Sequence, residues 1–229
     1  ERELSRRRPD LVLVYGDTNS TLAGALAAAK QNIPVAHVEA GLRSFNRRMP
    51  EELNRIVADA VASLLFTPTP AASANLAREG CDPGSVFQVG DVMQDAIRLF
   101  EPRAREQSRI LSDHGLTAGG FVLATLHRAE NTDDPVLLRA VIDGLGRVAR
   151  ELTVVIPLHP RTRKALERWG LGLPPGVVRL EPVGFLDMQR LEAAARVIAT
   201  DSGGVQKEAF WHGVPCVTLR GETEWTELV

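Results

Sequence analysis

Short runs of apolar residues alternate along the chain with longer stretches in which apolar residues recur at helical spacing. An apolar run of four or five residues bounded by turn-forming residues is typical of a strand that is buried on both faces. The longer stretches have the period of amphipathic helices. The pattern predicts strands at 11–15, 35–38, 64–67, 86–89, 121–125, 154–157, 177–180, 197–200 and 216–219, and helices at 21–31, 51–63, 71–79, 136–151, 161–169, 186–194 and 205–211.

This alternation predicts an α/β protein whose parallel sheets are covered by helices on both faces. The predicted strands fit two modest sheets better than one. A long charged segment at 99–113 interrupts the alternation, shortly after Gly90 and Asp91. We therefore expect two domains, at 1–92 and 93–229, each with an open parallel sheet. Ligands of such sheets bind beyond the carboxyl ends of the strands.

Composition and charge exclude several classes of function. Of the 229 residues, 24% are charged and 44% are hydrophobic, and 27 Lys and Arg against 29 Asp and Glu give a net charge of −2. This balance argues against a nucleic-acid or membrane-surface binder, and no apolar run is long enough to span a membrane. Cys81 and Cys216 lie in no metal-binding or redox motif, which fits a reduced, cytoplasmic setting.

Polar residues follow three of the predicted strands within two positions, namely Asp17, Glu39 and His127. Taken singly, Asp17 fits a helix cap and His127 fits a surface turn. Glu39 is harder to explain in this way, because a carboxylate that ends a buried strand costs free energy unless it is solvated, paired or used. Several carboxylates in one cleft would shift one another's pKa values, which suits acid–base chemistry.

The segment 49–55, MPEELNR, is typical of a helix start, with proline at the first helical position and acids in the first turn. Glu51 and Arg55 share a helix face, which allows an ordinary surface pair. His37 and Glu39 point to one side of their strand, but no third ligand is at hand, so the sequence predicts no metal site.

The segment 200–210, TDSGGVQKEAF, joins a predicted strand to a predicted helix. Gly203 and Gly204 would let a ligand approach the backbone closely, and a helix N-terminus presents free N–H groups to an anion. The alternative is a tight strand-to-helix turn that Ser202 caps. These residues alone leave both interpretations open.

Taken together and in this order, the segments GDTNST, HVEAGLRS, MPEELNR, LHRAEN, LHPR and DSGGVQKEA resemble those of the non-hydrolysing UDP-N-acetylglucosamine 2-epimerases. The resemblance covers essentially the whole chain, and HVEAGLRS with MPEELNR is its most specific part. It implies two Rossmann-like, doubly wound domains that face a cleft and hold a UDP-sugar between them, as in the GT-B class of glycosyltransferases. It also implies a cytoplasmic homodimer of cell-surface polysaccharide biosynthesis that uses no external cofactor and no metal.

The same resemblance implies a role for each matching residue. It assigns catalysis to three carboxylates and two basic residues, namely Asp17, Glu39, Glu51, Arg55 and His127. It assigns binding of the diphosphate to the turn formed by Ser202, Gly203 and Gly204. It assigns the ribose hydroxyls to Glu208 and the uracil to Phe185, and it makes Arg128 a further UDP-binding residue.

The implied reaction inverts C2 of the sugar without redox chemistry. UDP is eliminated across C1–C2, a 2-acetamidoglucal stays bound, and UDP adds back with the other configuration at C2. Three alternatives stay open at this point: an epimerase of a UDP-2,3-diacetamido uronic acid, a hydrolysing epimerase, and a nucleotide-sugar-binding module without catalysis. A glycosyltransferase would leave HVEAGLRS unexplained.

The ends of the chain depart from the family pattern. Members of the family open with a further strand and a phosphate-facing Gly/Arg segment, and they continue beyond ETEWTELV. We therefore expect this chain to be a piece of a longer protein, incomplete at the end of its second domain. We also expect that the piece does not epimerise alone.

Overall fold

The chain folds into two compact units. The computed structural model describes residues 1–221. The first unit is Glu1–Val92, and the second begins at Met93. The prediction that the second domain is incomplete at its end rests on the last residues, 222–229, and these lie outside the described residues.

The first unit contains a parallel sheet whose described strands lie in the order β1-β2-β3-β4. Helices connect consecutive strands, as parallel pairing requires. The strands are β1 (Val12–Tyr15), β2 (Val35–Val38), β3 (Leu64–Thr67) and β4 (Val86–Gln88), and the helices are α1 (Arg2–Arg7), α2 (Asn19–Ala29), α3 (Pro50–Val61) and α4 (Pro70–Arg78), with a 3₁₀ turn at Pro83–Ser85.

The register of this sheet brings the ends of its strands level. Tyr15 lies opposite Val38, and Val38 lies opposite Phe66. Asp17 and Glu39, which follow β1 and β2, therefore lie at the same edge of the sheet, the one formed by the carboxyl ends of the strands. Between them, Thr18 caps α2, since its hydroxyl oxygen accepts a hydrogen bond from the backbone N–H of Thr21 at 3.3 Å.

The second unit contains a parallel sheet with the described strand order β7-β6-β5-β8-β9. The strands are β5 (Phe121–Thr125), β6 (Thr153–Pro157), β7 (Val177–Leu180), β8 (Val197–Thr200) and β9 (Cys216–Thr218). The helices are α5 (Val92–Gln107), α6 (Ile110–Asp113), α7 (Ala129–Thr132), α8 (Pro135–Val148), α9 (Pro160–Trp169), α10 (Phe185–Ala194) and α11 (Gly203–His212).

Strand β5 explains why this sheet has a core on both faces. Phe121 and Leu123 pack into one apolar cluster with α10 and α11, while Val122 and Ala124 pack into the other with α8 and α9. The continuous apolar run FVLAT is what a strand buried on both faces requires. The order of the strands reverses between β5 and β8, and ligands of open α/β sheets bind at such a switch point.

The predicted α/β class with two parallel sheets is confirmed, and all the predicted strands are present. Helix α5 and the short α1, α6 and α7 were not predicted. Helix α5 contains Pro102, which removes a backbone hydrogen bond and disfavours a helix prediction. Its buried residues, Ile97 and Ala104, lie two turns apart on one narrow stripe. Within residues 1–221, no helix is long and apolar enough to cross a membrane.

Candidate active site

Asp17 and Arg55 form an ion pair in the first unit. They lie 38 positions apart in sequence, and Arg55 Nη1 donates to Asp17 Oδ2 at 2.5 Å. The Arg55 side chain is 1% exposed and the Asp17 side chain is 32% exposed. The interpretation of Arg55 as half of an ordinary surface pair is therefore wrong, because its guanidinium is buried. A buried cation beside a partly open carboxylate fixes the direction in which that carboxylate points.

Glu52 holds the other side of the Arg55 guanidinium. Arg55 Nη2 donates to Glu52 Oε2 at 2.9 Å, and the backbone N–H groups of Ser44 and Phe45 donate to the same carboxylate at 2.9 and 3.0 Å. Burial alone would raise the pKa of Glu52, but the Ser44 amide and the Arg55 charge lower it below its ordinary value. Glu52 was not predicted as a site residue from the sequence, although it adjoins Glu51 in the first turn of α3.

Glu39 lies beside the loop that carries Asp17. A methyl group added at Gly16 would lie only 3.2 Å from Glu39 Oε2. The absence of a side chain at Gly16 therefore leaves room for the Glu39 carboxylate. Glu39 itself has a φ of 73°, in the left-handed region that non-glycine residues rarely adopt. Such backbone strain costs about 1–3 kcal/mol and is concentrated at functional sites. Asp17, Glu39 and Arg55 thus lie at one edge of the sheet, and Glu51 lies one turn before Arg55 on α3.

His37, a completely buried residue of β2, is a cation that contacts the loop after β1. Its Nδ1 lies 2.6 Å from Asp59 Oδ1, and its Nε2 lies 2.8 Å from the Gly16 carbonyl oxygen. Both partners are acceptors, so the ring donates from both nitrogens and is positively charged. Burial lowers the pKa of His37, but the hydrogen bond and charge of Asp59 outweigh it and raise the pKa above its ordinary value. With both nitrogens occupied, His37 has no lone pair for a metal.

Asp59 connects His37 to the loop after Glu39. Its second oxygen accepts from the Gly41 backbone N–H at 3.1 Å and pairs with Arg43 Nη1 at 2.8 Å. The Asp59 carboxylate thereby ties β2, α3 and the loop together inside the unit. Sequence reasoning missed this residue, because a lone aspartate in a helix has no local signal for burial.

Asp201 organises the end of β5 in the second unit. Its carboxylate is completely buried and lies 3.2 Å from His127 Nδ1. It also accepts from the backbone N–H groups of His127 and Arg128, at 3.1 and 2.9 Å, and from Asn131 Nδ2 at 3.1 Å. Burial raises the pKa of Asp201, but these donors, His127 first, lower it below its ordinary value. His127 is therefore oriented by a buried carboxylate, and its interpretation as a plain surface turn is wrong.

The turn at 202–204 begins α11, which starts at Gly203. Ser202 caps it, because its hydroxyl oxygen accepts from the Val205 N–H at 3.4 Å. Gly203 and Gly204 are helical, and a methyl group at Gly204 would meet only ordinary contacts, at 3.6 Å or more. The fold of the described residues thus does not itself require glycine at 204. The first N–H groups of a helix have no intrahelical acceptor, so this terminus suits an anion.

The remaining predicted residues lie around this turn. Glu208 is on α11, one turn further along, and its carboxylate accepts from Gln189 Nε2 at 3.2 Å. Arg128 precedes α7, at the end of β5. Phe185 begins α10; its side chain is exposed, and its ring packs edge-to-face on Phe100 with 5.6 Å between centroids.

The two units therefore offer different chemistry. The first presents carboxylates beside a buried cation, a combination suited to proton transfer. The second presents a helix N-terminus and an oriented histidine at the switch point of its sheet, a combination suited to a phosphate group.

Comparison with known proteins identifies the family. A family model described as UDP-N-acetylglucosamine 2-epimerase matches residues 1–229. A Pseudomonas aeruginosa protein named UDP-2,3-diacetamido-2,3-dideoxy-D-glucuronate 2-epimerase is 53% identical over 100% of this chain and 64% of its own length. A Methanococcus maripaludis protein named UDP-N-acetylglucosamine 2-epimerase homolog is 49% identical over 100% of this chain and 65% of its own length.

Solved structures agree with this assignment. One is the structure of the Methanocaldococcus jannaschii UDP-GlcNAc 2-epimerase in complex with UDP-GlcNAc and UDP, whose sequence is 42% identical to this chain. The two superpose with a TM-score of 0.92, and the match covers 99% of this chain and 64% of that protein. The Neisseria meningitidis enzyme bound to UDP-GlcNAc is 32% identical, with a TM-score of 0.89 over 99% of this chain and 64% of that protein. The chain spans 64–65% of the length of the curated relatives named above. The resemblance drawn from the sequence is confirmed: the chain belongs to the UDP-N-acetylglucosamine 2-epimerase family.

Proposed function

We propose that the protein interconverts UDP-N-acetylglucosamine and UDP-N-acetylmannosamine by eliminating UDP and adding it back. The observation that carries this proposal is the arrangement of Asp17 and Glu39 at one sheet edge, with Asp17 paired to the buried Arg55. A protein that only binds a nucleotide sugar has no need of carboxylates held in this way. The Methanocaldococcus and Neisseria enzymes, which the chain resembles, were solved with UDP-GlcNAc bound, which supports the choice of substrate.

In this proposal, the second unit binds UDP. The N-terminus of α11, with Ser202, Gly203 and Gly204, receives the diphosphate, because its amide groups and the helix dipole favour negative charge. His127 and Arg128 add positive charge or hydrogen bonds to the departing diphosphate. Glu208 accepts from the ribose hydroxyls, and Phe185 lies against the uracil.

The first unit carries out proton transfer at C2 of the sugar. One of the carboxylates Asp17, Glu39 and Glu51 takes the C2 proton as the C1–oxygen bond breaks, and the bonding electrons leave with the diphosphate. A C1–C2 double bond forms in the bound 2-acetamidoglucal. Another acid then delivers a proton to the opposite face of C2 while a diphosphate oxygen attacks C1. Acid–base catalysis of this kind contributes about 10²–10⁴-fold to the rate.

The sugar itself has a second candidate. The Pseudomonas relative, at 53% identity, is named for a UDP-2,3-diacetamido uronic acid, and the identity of the chain to the Methanococcus homolog is lower, at 49%. This ranking favours testing an epimerase of that uronic acid beside the N-acetylglucosamine enzyme. The chemistry at C2 is the same for both sugars.

One experiment separates these functions. The full-length protein is incubated with UDP-N-acetylglucosamine, or with UDP-2,3-diacetamido-glucuronic acid, and the sugar products are identified by NMR. We expect a C2 epimer that is still attached to UDP. Free N-acetylmannosamine with UDP would indicate a hydrolysing enzyme instead. Binding of either sugar nucleotide without any product would indicate a binding module and contradict the proposal.

We further infer a cytoplasmic homodimer that supplies precursors for cell-surface polysaccharide. This part of the proposal rests on the resemblance to the family. Light scattering on the full-length protein tests the oligomeric state, and a monomer at working concentration would contradict it.

A further inference from the structure

A pair of carboxyl groups lies buried behind the turn at 202–204. Glu192 on α10 is completely buried, and Glu208 on α11 is 9% exposed. The two carboxyl groups accept hydrogen bonds from one and the same nitrogen, Gln189 Nε2, which brings them close together. Two ionised carboxylates cannot be held this close in a buried position without strong repulsion, so such a pair holds one proton.

Gln189 fixes the geometry of the pair. Its amide nitrogen donates to Glu192 Oε2 at 3.0 Å and to Glu208 Oε1 at 3.2 Å, which uses both of its N–H groups. Its amide oxygen lies 3.0 Å from His212 Nε2, which must therefore donate. The orientation of the amide is thus determined by three contacts with defined donors and acceptors.

The second oxygen of Glu192 identifies where the proton lies. Oε1 is buried and accepts no hydrogen bond from any donor among the described residues. A buried oxygen without a donor is costly as an acceptor, but it is satisfied when it carries a proton and donates. Glu208 is the neighbour able to accept.

We infer that Glu192 is a positioning residue, which as a neutral carboxylic acid donates to the Glu208 carboxylate and fixes the orientation in which Glu208 accepts from the ribose of UDP. This inference rests on the proposed function, in which Glu208 binds that ribose. Burial, followed by the charge of Glu208, raises the pKa of Glu192 well above its ordinary value. Burial also raises the pKa of Glu208, and the Glu192 hydrogen bond and then the Lys207 charge oppose that rise.

The test compares two substitutions at one position. Glu192→Gln keeps the shape and always donates through its amide, whereas Glu192→Leu fills similar space and cannot donate. Each full-length variant is titrated calorimetrically with UDP and with 2′,3′-dideoxy-UDP, which lacks both ribose hydroxyls. A merely structural role of Glu192 would change binding of the two nucleotides alike, so the ratio of their affinities reports on the contact between Glu208 and the ribose.

We expect wild type and Glu192→Gln to prefer UDP over the dideoxy nucleotide, and Glu192→Leu to lose about tenfold in affinity for UDP alone. An unchanged ratio in Glu192→Leu would overturn the inference, as would a Glu192→Gln variant that behaves like Glu192→Leu. A wild-type protein that binds both nucleotides equally would refute the ribose contact and the inference with it. A wild-type protein that binds neither would contradict the proposed function.

An infrared spectrum keeps the inference testable if Glu192→Leu does not fold. At neutral pH the folded wild-type protein should show the C=O stretch of a protonated carboxyl group, and Glu192→Gln should lack that band. Identical spectra of the two proteins in this region would overturn the inference.

Discussion

Asp201 holds His127 through both its ring and its backbone: Asp201 Oδ1 lies 3.2 Å from His127 Nδ1 and accepts from the His127 backbone N–H at 3.1 Å. When an imidazole ring donates from Nδ1 to a carboxylate, Nε2 is the ring nitrogen left to contact a ligand. The ends of β5 and β8 are thereby joined at the switch point of the second sheet. The orientation of His127 depends on a residue 74 positions away.

Replacing Asp201 by Asn should cost about 1.5–3 kcal/mol of stability at pH 7, because a buried carboxylate with several donors is lost. The pKa of Asp201 is lowered in the folded protein, so its stabilisation is present above the unfolded value and is lost as the pH falls through the folded value. Wild type should therefore lose stability below about pH 4, and Asp201→Asn should lose less. Urea unfolding at pH 7 and at acidic pH measures both effects. Equal acid sensitivity in the two proteins would contradict the assignment.

Replacing Asp17 by Asn, or Glu51 by Gln, should reduce turnover by roughly 10²-fold or more while leaving UDP binding largely intact. The reason is that these residues are assigned to proton transfer in the first unit, whereas UDP binding is assigned to the second. Steady-state kinetics and UDP titration of the full-length variants provide the measurement. Asp10→Asn, at an exposed position outside the site, is the matched control. Near-normal turnover in Asp17→Asn would leave Asp17 with a structural role only.

Replacing Glu208 by Ala should weaken UDP binding by about 1.5–3 kcal/mol, the usual contribution of a hydrogen bond to a charged group. The lost contact is the one proposed between the carboxylate and the ribose hydroxyls. Calorimetric titration measures the change, with Glu167→Ala on the exposed face of α9 as control. Unchanged affinity would move the ribose site elsewhere.

Replacing His37 by Gln should cost about 1.5–3 kcal/mol, because it removes the charged partner of Asp59 Oδ1. The other Asp59 oxygen keeps its contacts with Arg43 and the Gly41 N–H. The pKa of His37 is raised in the folded protein, so its stabilisation is complete below the unfolded value and is lost as the pH rises through the folded value. Wild type should lose stability as the pH rises above about 6.5, and His37→Gln should lack this slope. Unfolding titrations across that range test the sign, with the exposed His114→Gln as control. The same slope in both variants would show that His37 is not the group responsible.

The sequence predicted much of the fold, because strands buried on both faces leave continuous apolar runs such as 121–125 that local pattern detects. Helix α5 was not predicted, because it contains Pro102 and many charged residues, and only a narrow stripe of its surface is buried. The ends of the strands could be singled out in the same way, since polar residues such as Asp17 and Glu39 stand out just after apolar runs. Their role in catalysis stays a prediction.

The partners of these residues could not be predicted in the same way. Arg55 reaches Asp17 across 38 positions, and Asp201 reaches His127 across 74, and no local pattern encodes such distances. Glu192 is the extreme case, because a single glutamate on a helix is most often solvent-exposed, and only the packing of α10 on α11 makes it a buried carboxyl group.

The central claim is that C2 loses its proton during the reaction, and turnover in heavy water tests it most directly. The full-length protein is incubated with UDP-N-acetylglucosamine in deuterium oxide, and the recovered epimer is examined at C2 by proton NMR and mass spectrometry. Elimination and re-addition require one acid to deliver a solvent-derived proton to the opposite face, so the epimer should carry deuterium at C2. An epimer that fully retains the original hydrogen at C2 would contradict the account.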